Sequence, residues 1–168
     1  MPRKDNLTPS TNYALATNIA TVDITGFETD VQVIAPIGTK QRLALNGGVV
    51  WLYSKSSQAN PSFYISSSAR FLGNFSAVYN VGNAMITLTG IYKNRKARET
   101  NGSSVFAEAS LSKDYFLLNG RASYNFIKNR LGAFVQVDNI FDRTYSDLLG
   151  TVMPGRWLQG GLSFNLVK

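Results

Sequence analysis

Apolar and polar side chains alternate with a period of two along most of this chain. In 42–53 one parity carries Leu43, Leu45, Gly47, Val49, Trp51 and Tyr53, and the other Arg42, Ala44, Asn46, Gly48 and Val50. In 65–80 the pattern sets Ile65, Ala69, Phe71, Phe75, Ala77 and Tyr79 against Ser66, Ser68, Arg70, Asn74, Ser76 and Asn80. It recurs in 84–92, 116–126, 131–137 and 158–166. Period two is the side-chain repeat of a strand, so each segment reads as a strand with one apolar face. About seven strands are expected, each of roughly ten residues or more, with no helix between them. In the first, 21–35, the parity switches: Val22 and Ile24 fall on one side, Phe27, Val31 and Val33 on the other. Gly26 lies at the switch, which predicts a β-bulge there.

The connections alternate in length. Segments 35–40, 80–83 and 127–130 are short and rich in Gly, Pro and Asn, whereas 54–62, 93–113 and 142–156 are longer and polar. Tight turns at one end of the strands and large loops at the other are the layout of an outer-membrane barrel, and this layout puts the C-terminus on the periplasmic side. Aromatic residues gather near both strand ends: Trp51, Tyr53, Tyr64, Tyr92, Phe116, Tyr145 and Trp157 toward the long loops, Tyr79, Tyr124, Phe126 and Phe164 toward the short turns. Two belts of amphipathic rings are expected where a barrel wall meets the water–lipid boundaries. The fold class expected is all-β, an antiparallel up-and-down transmembrane β-barrel segment. A soluble β-sandwich is the competing reading, but it would place those rings in mid-strand on a buried face.

Composition narrows the chemistry. The chain of 168 residues contains no Cys and no His, which removes disulfides, thiolate metal sites, a Cys nucleophile and the usual neutral-pH base. Ten acidic residues are scattered along it, so neither a metal centre nor another cofactor is expected. The net charge of +7 admits anionic partners, yet only 16% of residues are charged, and Ser, Thr, Asn and Gly supply much of the polarity. No run of eighteen apolar residues marks a transmembrane helix, and 1–11 lack the apolar core of a signal peptide.

The segment 137–145, Val-Asp-Asn-Ile-Phe-Asp-Arg-Thr-Tyr, followed by Met-Pro-Gly-Arg-Trp at 153–157 and a last strand, resembles the C-terminal end of TonB-dependent outer-membrane receptors. The matching positions are Asn139, Ile140, Phe141, Asp142, Tyr145, Pro154, Gly155 and Arg156. Residues 22–28 also resemble the entry to an earlier receptor strand, with Gly26 and Glu28 in register. Gln159, Gly161, Phe164 and Leu166 fit the last-strand pattern that the barrel-assembly machinery reads, although Lys168 stands where a terminal aromatic is usual. The resemblance covers about residues 17–168. It implies the C-terminal strands of a receptor barrel, with 1–16 as an extracellular loop or disordered lead-in.

Receptors of this family close 22 strands around a plug. Seven strands cannot, and an open sheet would leave two edges unpaired in lipid. The chain is therefore expected to be an incomplete portion of a receptor: an excised fragment, a partial gene product or a truncated homologue. The implied function is active uptake of a scarce nutrient such as a ferric siderophore, cobalamin or a similar chelate. This portion would supply wall, lumen lining and loops. The implied partners are outer-membrane lipid and lipopolysaccharide, the barrel-assembly machinery, a small-molecule chelate, and the TonB complex through a plug that this chain lacks.

Polar residues on the wet parity include Glu28, Asp30, Arg42, Arg70, Asn74, Lys93, Arg121, Asn125, Gln136, Asp138 and Gln159. A water-filled lumen needs such residues wherever they fall, so their polarity alone assigns no ligand. The sharpest charge cluster is Lys93, Arg95, Lys96 and Arg98. It reads either as a solvated loop or as a contact for lipopolysaccharide phosphates or an anionic chelate. With Arg70 and Arg121 it forms the candidate set for lumen or loop ligand contacts. No aromatic platform interleaves with it, so nucleic acid is not expected as a partner. Asp142, Arg143 and Tyr145 contain no nucleophile–base pair, and no enzyme activity is expected. They are expected to cap the strand, with Tyr145 as an aromatic anchor. Two other readings stay open: a small self-contained barrel of about eight strands using 5–16, and a soluble β-rich binding or adhesion domain.

Overall fold

The computed structural model describes residues 21–56, 69–95, 111–127, 130–147 and 151–165. It contains seven strands: β1 Val22–Pro36, β2 Gln41–Ser56, β3 Ala69–Val81, β4 Ala84–Arg95, β5 Asp114–Ile127, β6 Leu131–Asp138 and β7 Trp157–Phe164. They form one sheet in chain order, every neighbouring pair antiparallel, and no helix occurs among the described residues. The outer edges of β1 and β7 have no partner strand among the described residues, so the sheet is open. Segments 1–16, 57–68 and 96–110 lie outside the described residues, and with them the expected lead-in.

Two of the strands are shorter than expected. β1 to β5 run 12 to 16 residues, but β6 and β7 have eight each. β6 stops at Asp138 because Asn139 takes φ 51, a left-handed conformation that no strand continues.

Register turns the alternation into two faces, because directly paired residues point the same way. Phe27 pairs with Trp51 and Trp51 with Phe71; Val33, Leu45, Ala77 and Leu88 form one row; Ala35, Leu43, Tyr79, Ile86, Ala122 and Val135 form another. These rows make a continuous apolar face across all seven strands. The opposite face carries Glu28, Asp30, Arg42, Asn74, Lys93, Arg121, Gln136, Asp138 and Gln159. Nothing described covers the apolar face: Phe27 is 62% exposed, Trp51 55% and Leu162 78%. Tyr115 is the only buried apolar side chain among the described residues, so the sheet has no interior core of its own.

The bulge expected at Gly26 is absent. β1 pairs with β2 without interruption from Val22 to Pro36, which leaves Val22 and Ile24 on the polar face. Gly26 instead permits a close approach: a Cβ there would stand 2.6 Å from Leu52 Cδ2. The register shifts lie elsewhere, between Ala69 and Phe71 and between Asn125 and Ile127. The first carries Ala69 to the polar face opposite Arg95, contrary to its sequence parity, and makes Arg70 the extra residue of a bulge.

Candidate functional site

The segment between β6 and β7 is held by two residues in left-handed conformations, Asn139 (φ 51) and Asp142 (φ 53). Asn and Asp tolerate this region better than other side-chain-bearing residues because their short polar groups can bond locally. Asn139, only 5% exposed, uses its whole amide. Its Nδ2 donates to the Arg143 carbonyl at 2.9 Å and, at 3.4 Å, to that of Pro154; its Oδ1 accepts from the Arg143 N–H at 2.9 Å. Its own N–H donates to Asn119 Oδ1 on β5 at 2.8 Å. Asp142 Oδ1 accepts from the Arg156 N–H at 2.7 Å, and a Cβ on Gly155 would lie 2.7 Å from that same oxygen. The Ile140 N–H donates to the Leu118 carbonyl at 2.8 Å. Asn139, Asp142, Gly155 and Arg156 therefore make a backbone clasp that turns the chain from β6 to β7. Phe141 packs its ring 6.1 Å from Phe116.

A second cluster lies beside the clasp. Lys93 Nζ pairs with Asp147 Oδ1 at 2.8 Å, Arg95 also pairs with Asp147, and the Tyr115 hydroxyl donates to it at 2.9 Å. The Tyr145 ring sits 4.6 Å from that of Tyr115, and Arg95 Nη1 donates to the Ser112 carbonyl at 2.8 Å. Burial alone pushes the Asp147 carboxyl up, but hydrogen bonds from Lys93, Tyr115 and Arg95 outweigh it and bring it down to about 2. Burial, and then the charge on Asp147, raise the Tyr145 hydroxyl above its ordinary value. Lys93 and Arg95, expected in a loop, are the last residues of β4 and are engaged with Asp147. Tyr145, expected as an aromatic anchor, packs into this cluster. Lys96 and Arg98 lie outside the described residues.

The third arrangement is a polar ladder across β5, β6 and β7. Arg121 Nη1 donates to Gln136 Oε1 at 3.0 Å, Gln136 Nε2 to both Asp138 oxygens at 3.1 Å, and Gln159 Nε2 to Asp138 Oδ2 at 3.1 Å. The Arg121 guanidinium also lies 3.9 Å over the Phe134 ring. That ring covers Gly161, where a Cβ would meet Phe134 Cε1 at 2.6 Å. Gly161 thus makes room for a stack of Arg121 on Phe134, whatever else it signals. Gln159 faces the ladder, Phe164 lies on the apolar face opposite Leu131, and Leu166 lies outside the described residues. Among the described residues no three His, Cys, Asp or Glu side chains converge as metal ligands.

The structure brings together Asn139, Asp142, Gly155 and Arg156 in one clasp, and Arg121 with Gln159 in one ladder. Arg70 stands apart in its bulge. Sequence reasoning missed Asp147, Tyr115 and Asn119, each of which acts only through partners distant in sequence. No protein-family model and no curated protein sequence matches the chain.

Proposed function

We propose that this chain is part of the wall of a TonB-dependent outer-membrane receptor that takes up a scarce nutrient, such as a ferric siderophore, cobalamin or a similar chelate. The observation that carries the reading is the uncovered apolar face running across seven strands, backed by a face on which charges and amides lie among apolar residues such as Val50, Leu72 and Ile91. An apolar surface of that extent calls for lipid, and the opposite face suits a wet lumen. The motif resemblance of 137–157 supplies the family, and the clasp gives its residues an architectural role consistent with a receptor's last extracellular connection.

By strand direction, the seven described strands cannot close on themselves as an antiparallel barrel. β1 and β7 both run from the long-loop end to the short-turn end, so joining them would make a parallel seam. An antiparallel barrel needs an odd number of further strands between them. A 22-stranded barrel leaves an odd remainder beyond these seven. Residues 5–16 as one extra strand would also satisfy the parity, which is what the small-barrel reading requires. In this proposal the partners are outer-membrane lipid and lipopolysaccharide, the barrel-assembly machinery and, through a plug domain, the TonB complex; the C-terminus is periplasmic.

The test uses the Trp157→Phe chain, in which Trp51 on the apolar face is the only indole. With phospholipid vesicles its apolar face should bind lipid, whether or not the open sheet crosses the bilayer, and Trp51 should show blue-shifted emission that acyl-chain-brominated lipid quenches. A chain that stays monomeric in water without detergent, with Trp51 shielded from the brominated lipid, would overturn the wall assignment. Deleting the gene should abolish uptake of the cargo; unchanged uptake of iron chelates and cobalamin would overturn the transport assignment.

A further inference from the structure

Trp157 lies on the polar face, opposite Asp138, with 59% of its surface exposed. The lipid that would cover an apolar ring on the other face does not reach it. It borders an open cavity of about 350 Å³ that Leu117, Asn119, Asp138, Tyr145 and Gln159 also line. The hydrogen bonds already made fix what these groups present. Asn119 Oδ1 accepts from the Asn139 N–H, so its Nδ2 remains the donor side of the amide. Gln159 turns its Nε2 to Asp138, so its Oε1 remains the acceptor side. Asp138 accepts from two amides, Gln136 and Gln159, and Gln136 in turn accepts from the Arg121 guanidinium, so the carboxylate is hydrogen-bonded and keeps its negative charge at the cavity.

A flat indole, a fixed donor and a fixed acceptor match a ring with an apolar C–H face and a rim of hydroxyl groups. Hydroxyls both donate and accept, and so satisfy Asn119 and Gln159 together. An anionic chelate would meet the Asp138 carboxylate, and a cation would have to displace the Gln136 and Gln159 amides that donate to it.

We propose that the Trp157 cavity binds a neutral polyhydroxylated ring, a sugar unit of a soluble cargo, stacked on the indole and bonded to Asn119 Nδ2 and Gln159 Oε1. This rests on the reading of the polar face as a water-filled lumen wall, and the chelates named above fit the site only through a neutral sugar unit of their own.

The test uses the full chain carrying Trp51→Phe, refolded in a sugar-free detergent, so that Trp157 is the only indole. Acrylamide quenching is measured with maltohexaose, xylohexaose and mannohexaose, and with ferric citrate as an anionic comparison. At least one oligosaccharide should protect Trp157 saturably below about 10 mM, and ferric citrate should not. Gln159→Leu should weaken that protection about tenfold. Asn119→Asp keeps the oxygen that the Asn139 N–H needs, replaces the amide donor with an acceptor and adds a negative charge beside Asp138, and should weaken it at least as much. If acrylamide reaches Trp157 but none of the three sugars protects it, the sugar site is overturned and the lumen reading stands. Equal protection by ferric citrate overturns the neutral ligand class. If acrylamide cannot reach Trp157 in the folded chain, the wet-face reading fails, and the site with it.

Discussion

The two ends of the sheet are closed by different means. At the short-turn end the backbone does most of the work. Gly38 (φ 96) shapes the turn from β1 to β2, and the Ile37 N–H donates to the Gln41 carbonyl at 2.9 Å. Gly82 (φ 57) opens the two-residue turn from β3 to β4. At the long-loop end side chains hold the chain: Asn139 and Asp142 in the clasp, and Asp147 between Lys93, Arg95 and Tyr115. A tight turn needs only a permissive residue at one position. A long connection has lost its ladder of backbone bonds and must be tied at points by polar groups that replace it. The long-loop end should therefore be sensitive to side-chain chemistry, and the short-turn end to backbone conformation.

The largest effect is expected at Asn139. Alanine there would lose the amide's bonds to Arg143 and Pro154, strand the Arg143 N–H and carbonyl, and place a Cβ-bearing residue without local bonding at φ 51. We expect Asn139→Ala to destabilise the folded chain by about 3 kcal/mol in urea unfolding from detergent. Asn139→Gly loses the same bonds but relieves the backbone, and should recover about 1 kcal/mol of that. Equal stability of the two variants would show that the left-handed conformation carries no cost, and the contrast with the turn glycines would collapse.

Asp147 comes next. Its removal would leave Arg95, whose side chain is 3% exposed, without a carboxylate it pairs with. Because Asp147 is itself 32% exposed, solvent screening tempers the loss, and Asp147→Ala should cost about 1–2 kcal/mol at neutral pH. The sign of the pH dependence follows from a carboxyl lowered to about 2 in the folded chain. The stabilisation is complete above the ordinary carboxylate value near 4, shrinks as pH falls, and is lost once pH passes through about 2. Asp147→Asn should flatten the unfolding free energy over that window by about 1 kcal/mol relative to the parent chain. A parent chain whose stability does not change between pH 4 and pH 2, by the same urea titration, would mean that the cluster contributes nothing.

The difference between the ends also explains what the sequence revealed. Strands and faces were legible because period two is local: Leu43, Leu45 and Val49 announce their face without reference to any partner. The glycine turns were legible for the same reason. The Gly26 bulge was misread, because a parity change can arise without an extra residue, and β1 simply carries Val22 and Ile24 on its polar face. The real bulges at Arg70 and Phe126 left no mark, since only the partner strand shows which residue is supernumerary. In the candidate sites, Asn139 and Asp142 were visible as a motif, and their tolerance of left-handed backbone was readable in principle. Asp147 was not. It meets Tyr115 32 positions away and Lys93 54 positions away, and nothing local in the sequence encodes that meeting.

Gly82 offers the smallest and cleanest contrast. It takes φ 57, while Asn83 beside it does not take a positive φ. A Cβ added at Gly82 would meet nothing within 4 Å, so no contact is broken and no space is invaded. Whatever Gly82→Ala costs must come from the backbone alone, about 1 kcal/mol for a Cβ in the left-handed region. Gly82→Asn introduces a side chain that tolerates the same region, and should cost less than half as much by the same urea titration. Side-chain dependence at this position larger than at Asn139 would invert the comparison. The short turns would then need specific side chains, and the clasp would hold by backbone alone.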